Sequence, residues 1–221
     1  MTACLGRIGC GLLLVILGAV GWHYRNEWVP KAKEIVGSVM PDGLAAGWQP
    51  LTDEGAKRAL TRIQRLSGDT GPAYVNVSPA DFASYVLGTG LTQLAGIDSA
   101  PEALVQDRTL FLRTRVRMDE LSFGGGEGLG PVAQLFDETE PLMIGGQLEA
   151  VRPGLAQYRL TEVVLKDLKI PRPALLSLVE RWGPAKRPEG VDKDALPVIL
   201  PGYIADLRVR DDRITLYKTV Q

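Results

Sequence analysis

Apolar residues change their spacing along this chain, and each change predicts an element. Ile8 to Trp22 reads IGCGLLLVILGAVGW, an apolar run without a charge. From Thr52 the spacing turns helical: Ala56, Ala59, Leu60, Ile63 and Leu66 form one stripe, with Lys57, Arg58, Arg62 and Arg65 on the other face. Thr52 is placed to cap that helix, Asp53 and Glu54 suit the positive end of its dipole, and Gly68 stops it. AYVNVS (73–78) predicts a short strand. Ser78-Pro79-Ala80-Asp81 then opens a second helix, which carries Phe82, Tyr85, Val86 and Leu87 as far as Gly88.

Beyond Ala103 the pattern alternates. Leu110, Leu112, Val116 and Met118 fall on one side with Thr114, while Phe111, Arg113, Arg115, Arg117 and Asp119 fall on the other. One clean apolar face over this length predicts a curved antiparallel strand packed on one side. A glycine-rich loop (124–131) and an acidic loop (137–140) follow, then a strand from Leu142 to Val151. Arg152-Pro153-Gly154-Leu155 has proline and glycine in the positions of a type II turn. The return strand runs from Ala156 to Ile170, with Tyr158, Leu160, Val164, Leu168 and Ile170 on one face. Pro171 and Pro173 open a short helix with Leu175, Leu176, Val179 and Trp182 on its buried stripe. After a polar loop (183–195), Ala205–Arg210 and Ile214–Tyr217 flank a turn at Asp211-Asp212 and predict a terminal hairpin. The expected class is α+β. An N-terminal transmembrane helix (1–24) and a juxtamembrane linker (25–50) precede one domain (51–221), a curved antiparallel sheet packed on amphipathic helices.

The N-terminal run is short of the roughly 20 apolar residues that cross a bilayer on a straight helix. As an anchor it gains length from Thr2 to Gly6, and Trp22, Tyr24 and Trp28 suit the membrane interface. As a cleaved signal peptide it has a basic start at Arg7 and the small residues Ala19-Val20-Gly21. The interfacial aromatics favour the anchor. Either reading exports the remainder and predicts a single-pass protein of the cell membrane with an extracytoplasmic domain. Arg25, Lys31 and Lys33 on the far side argue for the reverse orientation. Lipidation at Cys10 is rejected, because the apolar run follows that cysteine instead of preceding it.

Composition changes this picture mainly by exclusion. The chain has 221 residues, 45% apolar and 23% charged, which is globular and sufficient for one ordinary domain. A net charge of -1 gives long-range attraction to nucleic acid little to work with, so no such partner is expected. The cysteines are Cys4 and Cys10 and the single histidine is His23, so nothing beyond residue 23 can form a Cys/His zinc site, a Ser-His-Asp triad, a Cys-His dyad or a disulfide. Oxygen-ligated calcium and two-carboxylate hydrolysis survive that exclusion. Asp137, Glu138 and Glu140 nevertheless lack EF-hand spacing, and the loop FGGGEGLGP lacks both the GK[ST] ending and the G-x-G-x-x-G order of nucleotide cradles. No catalytic residue, metal or cofactor is therefore expected. Arg113, Arg115 and Arg117 share a face that could hold a phosphate or lipid head group, or simply pair with carboxylates on neighbouring strands.

The second half carries a resemblance. A strand with MIGGQLEA, a turn, a strand with YRLTEVVLKDLKIP, a helix with PALLSLVERW and a close in LPGYIADLRVRDDRITLYK follow in order. This resembles the exported, single-span LmeA-like and YpmS-like envelope proteins, which are similar to TULIP-type lipid-binding half-barrels. The resemblance covers roughly residues 140–221 and, more loosely, the helix from Thr52. It implies a half-barrel-like curved sheet wrapped on a helix around an apolar groove that takes acyl chains, and it carries no catalytic motif. Gly124–Gly130 and the acidic Asp137, Glu138 and Glu140 have no counterpart in it. By alternation, a groove would be lined by Leu110, Leu112, Val116, Met118, Tyr158, Leu160, Val164 and Leu168, the same residues that would otherwise fill a core. The expected function is non-catalytic binding of lipid or another apolar ligand in the cell envelope. The alternatives are an assembly module engaging an envelope protein and a carboxylate-dependent hydrolase of envelope glycolipids.

Overall fold

A computed structural model describes residues 47–68, 70–88, 99–118, 137–210 and 212–219, all within one compact unit, Pro41–Gln221. The apolar run 8–22, Cys4, Cys10, His23, the linker up to residue 46, Asp119, the glycine-rich loop 124–131 and Asp211 lie outside the described residues. Among the described residues no helix is long and apolar enough to cross a membrane.

Helix α1 (Asp53–Gln64) starts where Thr52 Oγ1 accepts from the Gly55 amide at 2.9 Å. Helix α2 (Pro79–Leu87) starts where Ser78 Oγ accepts from the Asp81 amide at 3.2 Å. The two helices lock at these ends. Ser84 Oγ accepts from the Thr52 amide at 3.0 Å, and Arg58 Nη2 reaches the buried Asp81 carboxylate at 2.6 Å. Gly55 sits at this contact, where a Cβ would come within 2.9 Å of Asp81 Oδ1.

The described residues form an α+β fold of three helices and two antiparallel sheets. The larger sheet runs β1 (Gln49–Pro50), β3 (Glu102–Gln106), β4 (Thr109–Arg117), β5 (Thr139–Arg152) and β6 (Leu155–Leu165). The far edge of β6 pairs with β7 (Leu168–Lys169) near one end and with β8 (Ala195–Ile199) near the other. The smaller sheet places β10 (Arg213–Lys218) between β2 (Tyr74–Val77) and β9 (Ile204–Arg210). Helix α3 is Arg172–Trp182. One apolar cluster joins both sheets to all three helices; Ile63, Phe82, Val163, Val179, Ile214 and Leu216 lie at its centre.

Several expectations need correction. β1 lies in the stretch assigned to the linker, so the fold takes in Gln49 and Pro50. The alternating run from Ala103 is two strands joined at Asp107-Arg108, both with positive φ (49° and 63°), as a type I′ hairpin turn requires. The return strand stops at Leu165, and Lys166 turns the chain with φ 55° into β7. Inside β6 the register with β5 slips: Gly145 opposes Glu162 but Gly146 opposes Leu160, leaving Thr161 as a bulge. That extra residue reverses the faces. Tyr158 and Leu160 share the core side with Val163 and Leu165, while Val164 is buried on the opposite side in the row of Met143 and Arg113. Leu168 is 46% exposed, and on α3 the buried stripe is Leu175, Leu178 and Val179, with Leu176 outside it. β8 begins at the end of the polar loop, at Ala195, where the sequence pattern predicts no strand; its Pro197 is tolerated because the strand lies on an edge.

Candidate functional site

The core side of the larger sheet holds a cavity of about 230 Å³ beneath α2. Helix α2 contributes Phe82, Ala83, Val86 and Leu87, whose i, i+1, i+4, i+5 spacing puts them on one face. β4 contributes Leu110 and Leu112, β5 contributes Leu148, and β6 contributes Tyr158. Trp182 and Pro184 at the end of α3, with Leu196, Pro197 and Val198 of β8, line the remaining side, and the pocket is open to solvent. No charged side chain among the described residues lines it.

Tyr158 keeps its polar end out of that cavity's account. Its hydroxyl donates to the Leu110 carbonyl at 2.8 Å, with the Ile144 carbonyl at 3.3 Å. Burial pushes its pKa far up, so the ring stays neutral. Paired glycines make room for it. A Cβ on Gly146 would lie 2.5 Å from Tyr158 Cζ, and one on Gly145 would lie 2.7 Å from the Phe111 ring on the other face. The GG of MIGGQLEA is thus the spot where two aromatic rings cover one strand from opposite sides.

The wall formed by residues 184–198 is pinned from outside by Arg159. Its Nη2 reaches Asp192 Oδ2 at 2.6 Å and Glu149 Oε2 at 2.9 Å, and its Nη1 reaches Asp194 Oδ1 at 2.9 Å. The buried Gln157 amide donates to Glu149 and Asp192 at 2.8 Å and accepts from the Asp192 amide at 2.9 Å. Arg187 Nη1 donates to the carbonyls of Asp192 and Ala195. These bonds hold the Glu149 carboxyl below its usual range, chiefly through Arg159, and the Asp192 carboxyl below its own, chiefly through Gln157. Carboxyls so depressed contribute fully above their ordinary value near pH ~4, and the contribution is lost as pH falls further through the depressed values. We therefore expect the Asp192 amide to keep its hydrogen-exchange protection from pH 8 to pH 5 and to lose it below about pH 4. Loss of protection already between pH 7 and pH 5 would show that other groups hold the loop.

Of the residues expected in a groove, Leu110, Leu112 and Tyr158 line this cavity. Val116 is buried in the apolar core and Met118 packs against it. Leu160 faces a second pocket beside α3, Val164 lies on the opposite side of the sheet, and Leu168 is exposed. Arg113, Arg115 and Arg117 alternate along β4 and so share one face of it. Arg113 binds Glu102 Oε2 at 2.5 Å and lies 4.3 Å over the Trp48 ring, Arg115 donates to the Thr139 carbonyl at 3.2 Å, and Arg117 is half-buried. In the acidic loop Asp137 and the buried Glu140 share Lys166 Nζ, at 3.2 and 2.8 Å. Among the described residues no acidic cluster is arranged to hold a metal.

Phe82, Val86, Leu87 and Trp182 read as apolar in the sequence, and only the fold brings them to the cavity wall. The signal available was that α2 is apolar beyond a single stripe. No protein-family profile matches this chain, and no curated protein and no solved structure matches it either.

Proposed function

We propose that this chain is a single-pass, membrane-tethered domain on the extracytoplasmic side that holds an acyl-chain end or another apolar ligand, without catalysis. The observation that carries the reading is the 230 Å³ cavity between α2, the sheet and the 184–198 segment, lined by apolar side chains and a satisfied tyrosine. A dry apolar cavity of ~150 Å³ already takes a benzene-sized guest, so this one suits a somewhat larger apolar group and not a whole two-chain lipid. The tether rests on the uncharged run Ile8–Trp22 and its interfacial aromatics. The resemblance to half-barrel lipid binders of the envelope points to the same ligand class.

One feature favours an assembly module instead: Ile199 is 68% exposed on β8, at the sheet edge. Lipid extraction and mass spectrometry separate the two readings. The chain begun at Gly47, which keeps β1, is expected to fold in detergent-free buffer and to carry a stoichiometric apolar ligand from cells. The same protein, folded but free of ligand even after incubation with fatty acids and alkanes, would support the module.

A further inference from the structure

The cavity beneath α2 is bordered by a segment that clasps the edge of the larger sheet. Pro184 lines the cavity at the start of this segment, and Leu196, Pro197 and Val198 line it at the end. Between them the chain crosses to the opposite face of the sheet. Tyr158 of β6 faces the cavity, whereas its neighbours Gln157 and Arg159 point to the other side, in the rows of Glu149 and Gln147. There Gln157 and Arg159 hold Asp192, and Arg159 also holds Asp194. One stretch of β6 thus walls the cavity with one residue and fastens the clasp with the two beside it.

That fastening depends on one cation. Glu149 and Asp192 share Arg159 Nη2, at 2.9 and 2.6 Å, and Asp194 takes Nη1 at 2.9 Å. Among the described residues no other cation ion-pairs with these carboxylates; Arg187 of the clasp reaches only the carbonyls of Asp192 and Ala195. Without the guanidinium, Glu149 on the sheet would face Asp192 and Asp194 on the clasp, and attraction would turn into repulsion. Little else restrains the segment. Val191 is the one buried residue from 184 to 194, and β8 pairs with β6 alone among the described strands.

We infer that Arg159 is a positioning residue for the ligand cavity: by holding the clasp from the opposite face, it sets the cavity's width and so the bulk of the guest. This rests on the ligand reading above. The pinned cavity of about 230 Å³ suits an octyl chain and is too small for three linked phenyl rings, since one benzene already occupies a cavity of ~150 Å³. A released clasp admits both.

The test uses the full chain in phosphatidylcholine nanodiscs, with Trp22, Trp28 and Trp48 replaced by phenylalanine so that Trp182 reports on the cavity. The guests are 1-bromooctane and the bulkier bromotriphenylethylene, both of which quench tryptophan. Wild type is expected to bind the octane about tenfold more tightly, the scale on which an apolar pocket discriminates by size. In Arg159→Gln that preference should shrink to less than about twofold, and Arg159→Lys should restore part of it. Val163→Ala, which weakens the core without touching the clasp, should lower the melting temperature and leave the preference intact. Acrylamide, needing no bound guest, should quench Trp182 more strongly in Arg159→Gln than in wild type. Wild type that binds neither guest defeats the ligand reading, and this inference with it. Wild type that discriminates, beside an Arg159→Gln protein that discriminates equally, overturns the role of Arg159 alone. So does unchanged acrylamide quenching, or a preference lost equally in Val163→Ala.

Discussion

Gly146→Val is expected to cost the domain about 3–5 kcal/mol, measured by urea denaturation. A Cβ there meets Tyr158 Cζ at 2.5 Å and the Arg159 carbonyl oxygen at 2.7 Å, and that carbonyl belongs to the neighbouring strand and cannot swing away. Forcing extra carbons into a packed core costs ~1–3 kcal/mol. Moving the ring also removes the Tyr158 hydroxyl from the Leu110 and Ile144 carbonyls, and orphaning buried polar groups adds ~1–3 kcal/mol. Such a loss is a large part of the ~5–15 kcal/mol that typically holds a domain together. Gly145→Ala meets side chains alone, the Phe111 ring at 2.7 Å and Glu162 Cγ at 3.0 Å, and should cost less. A Gly146→Val protein within 1 kcal/mol of wild type would mean that Tyr158 is not held where the structure places it.

The elements legible in the sequence were those whose signals are local. Thr52 and Ser78 cap helices because their hydroxyls face amides three residues on, and Pro153-Gly154 turns the chain because Gly154 must adopt φ 78°. What was missed depends on neighbours. Asp107-Arg108 forms a tight hairpin turn without the glycine or asparagine that normally advertises positive φ. Nothing about Thr161 marks it as a bulge until β5 is laid beside it, where its hydroxyl donates to the Gly145 carbonyl at 3.0 Å. That one residue explains why alternation located Leu110, Leu112, Tyr158 and Leu160 on the core side but misplaced Val164. Leu176 was misread for a related reason: helical spacing is nearly as good for Leu176 as for Leu178, and only the packing of α3 decides between them.

Leu112→Arg should leave the domain folded and remove bound ligand, about tenfold or more in retained amount. Leu112 is half-buried and lines the cavity, so an arginine stem can follow its wall while the guanidinium reaches towards water. Within the cavity that stem takes the space of an apolar guest, and the charge finds no carboxylate among the described lining residues. Val163→Arg provides the contrast. Val163 is fully buried and lines neither pocket, so a charge there has no route to solvent and should cost several kcal/mol, of the order seen for unpaired buried charges at ~3–5 kcal/mol. Thermal melts and ligand extraction on both variants separate loss of ligand from loss of fold. A folded Leu112→Arg protein that still carries its ligand would place the ligand elsewhere.

Trp182 offers the most direct test, because it lines the cavity itself. With Trp22, Trp28 and Trp48 replaced by phenylalanine, the chain's remaining tryptophan reports on that space alone. Titration with an uncharged brominated octane should quench its fluorescence saturably, at one equivalent, and the quenching should vanish in Leu112→Arg. Unquenched Trp182 fluorescence, or quenching that rises without saturation and is equal in Leu112→Arg, would show a closed core with no ligand space and contradict the binding function.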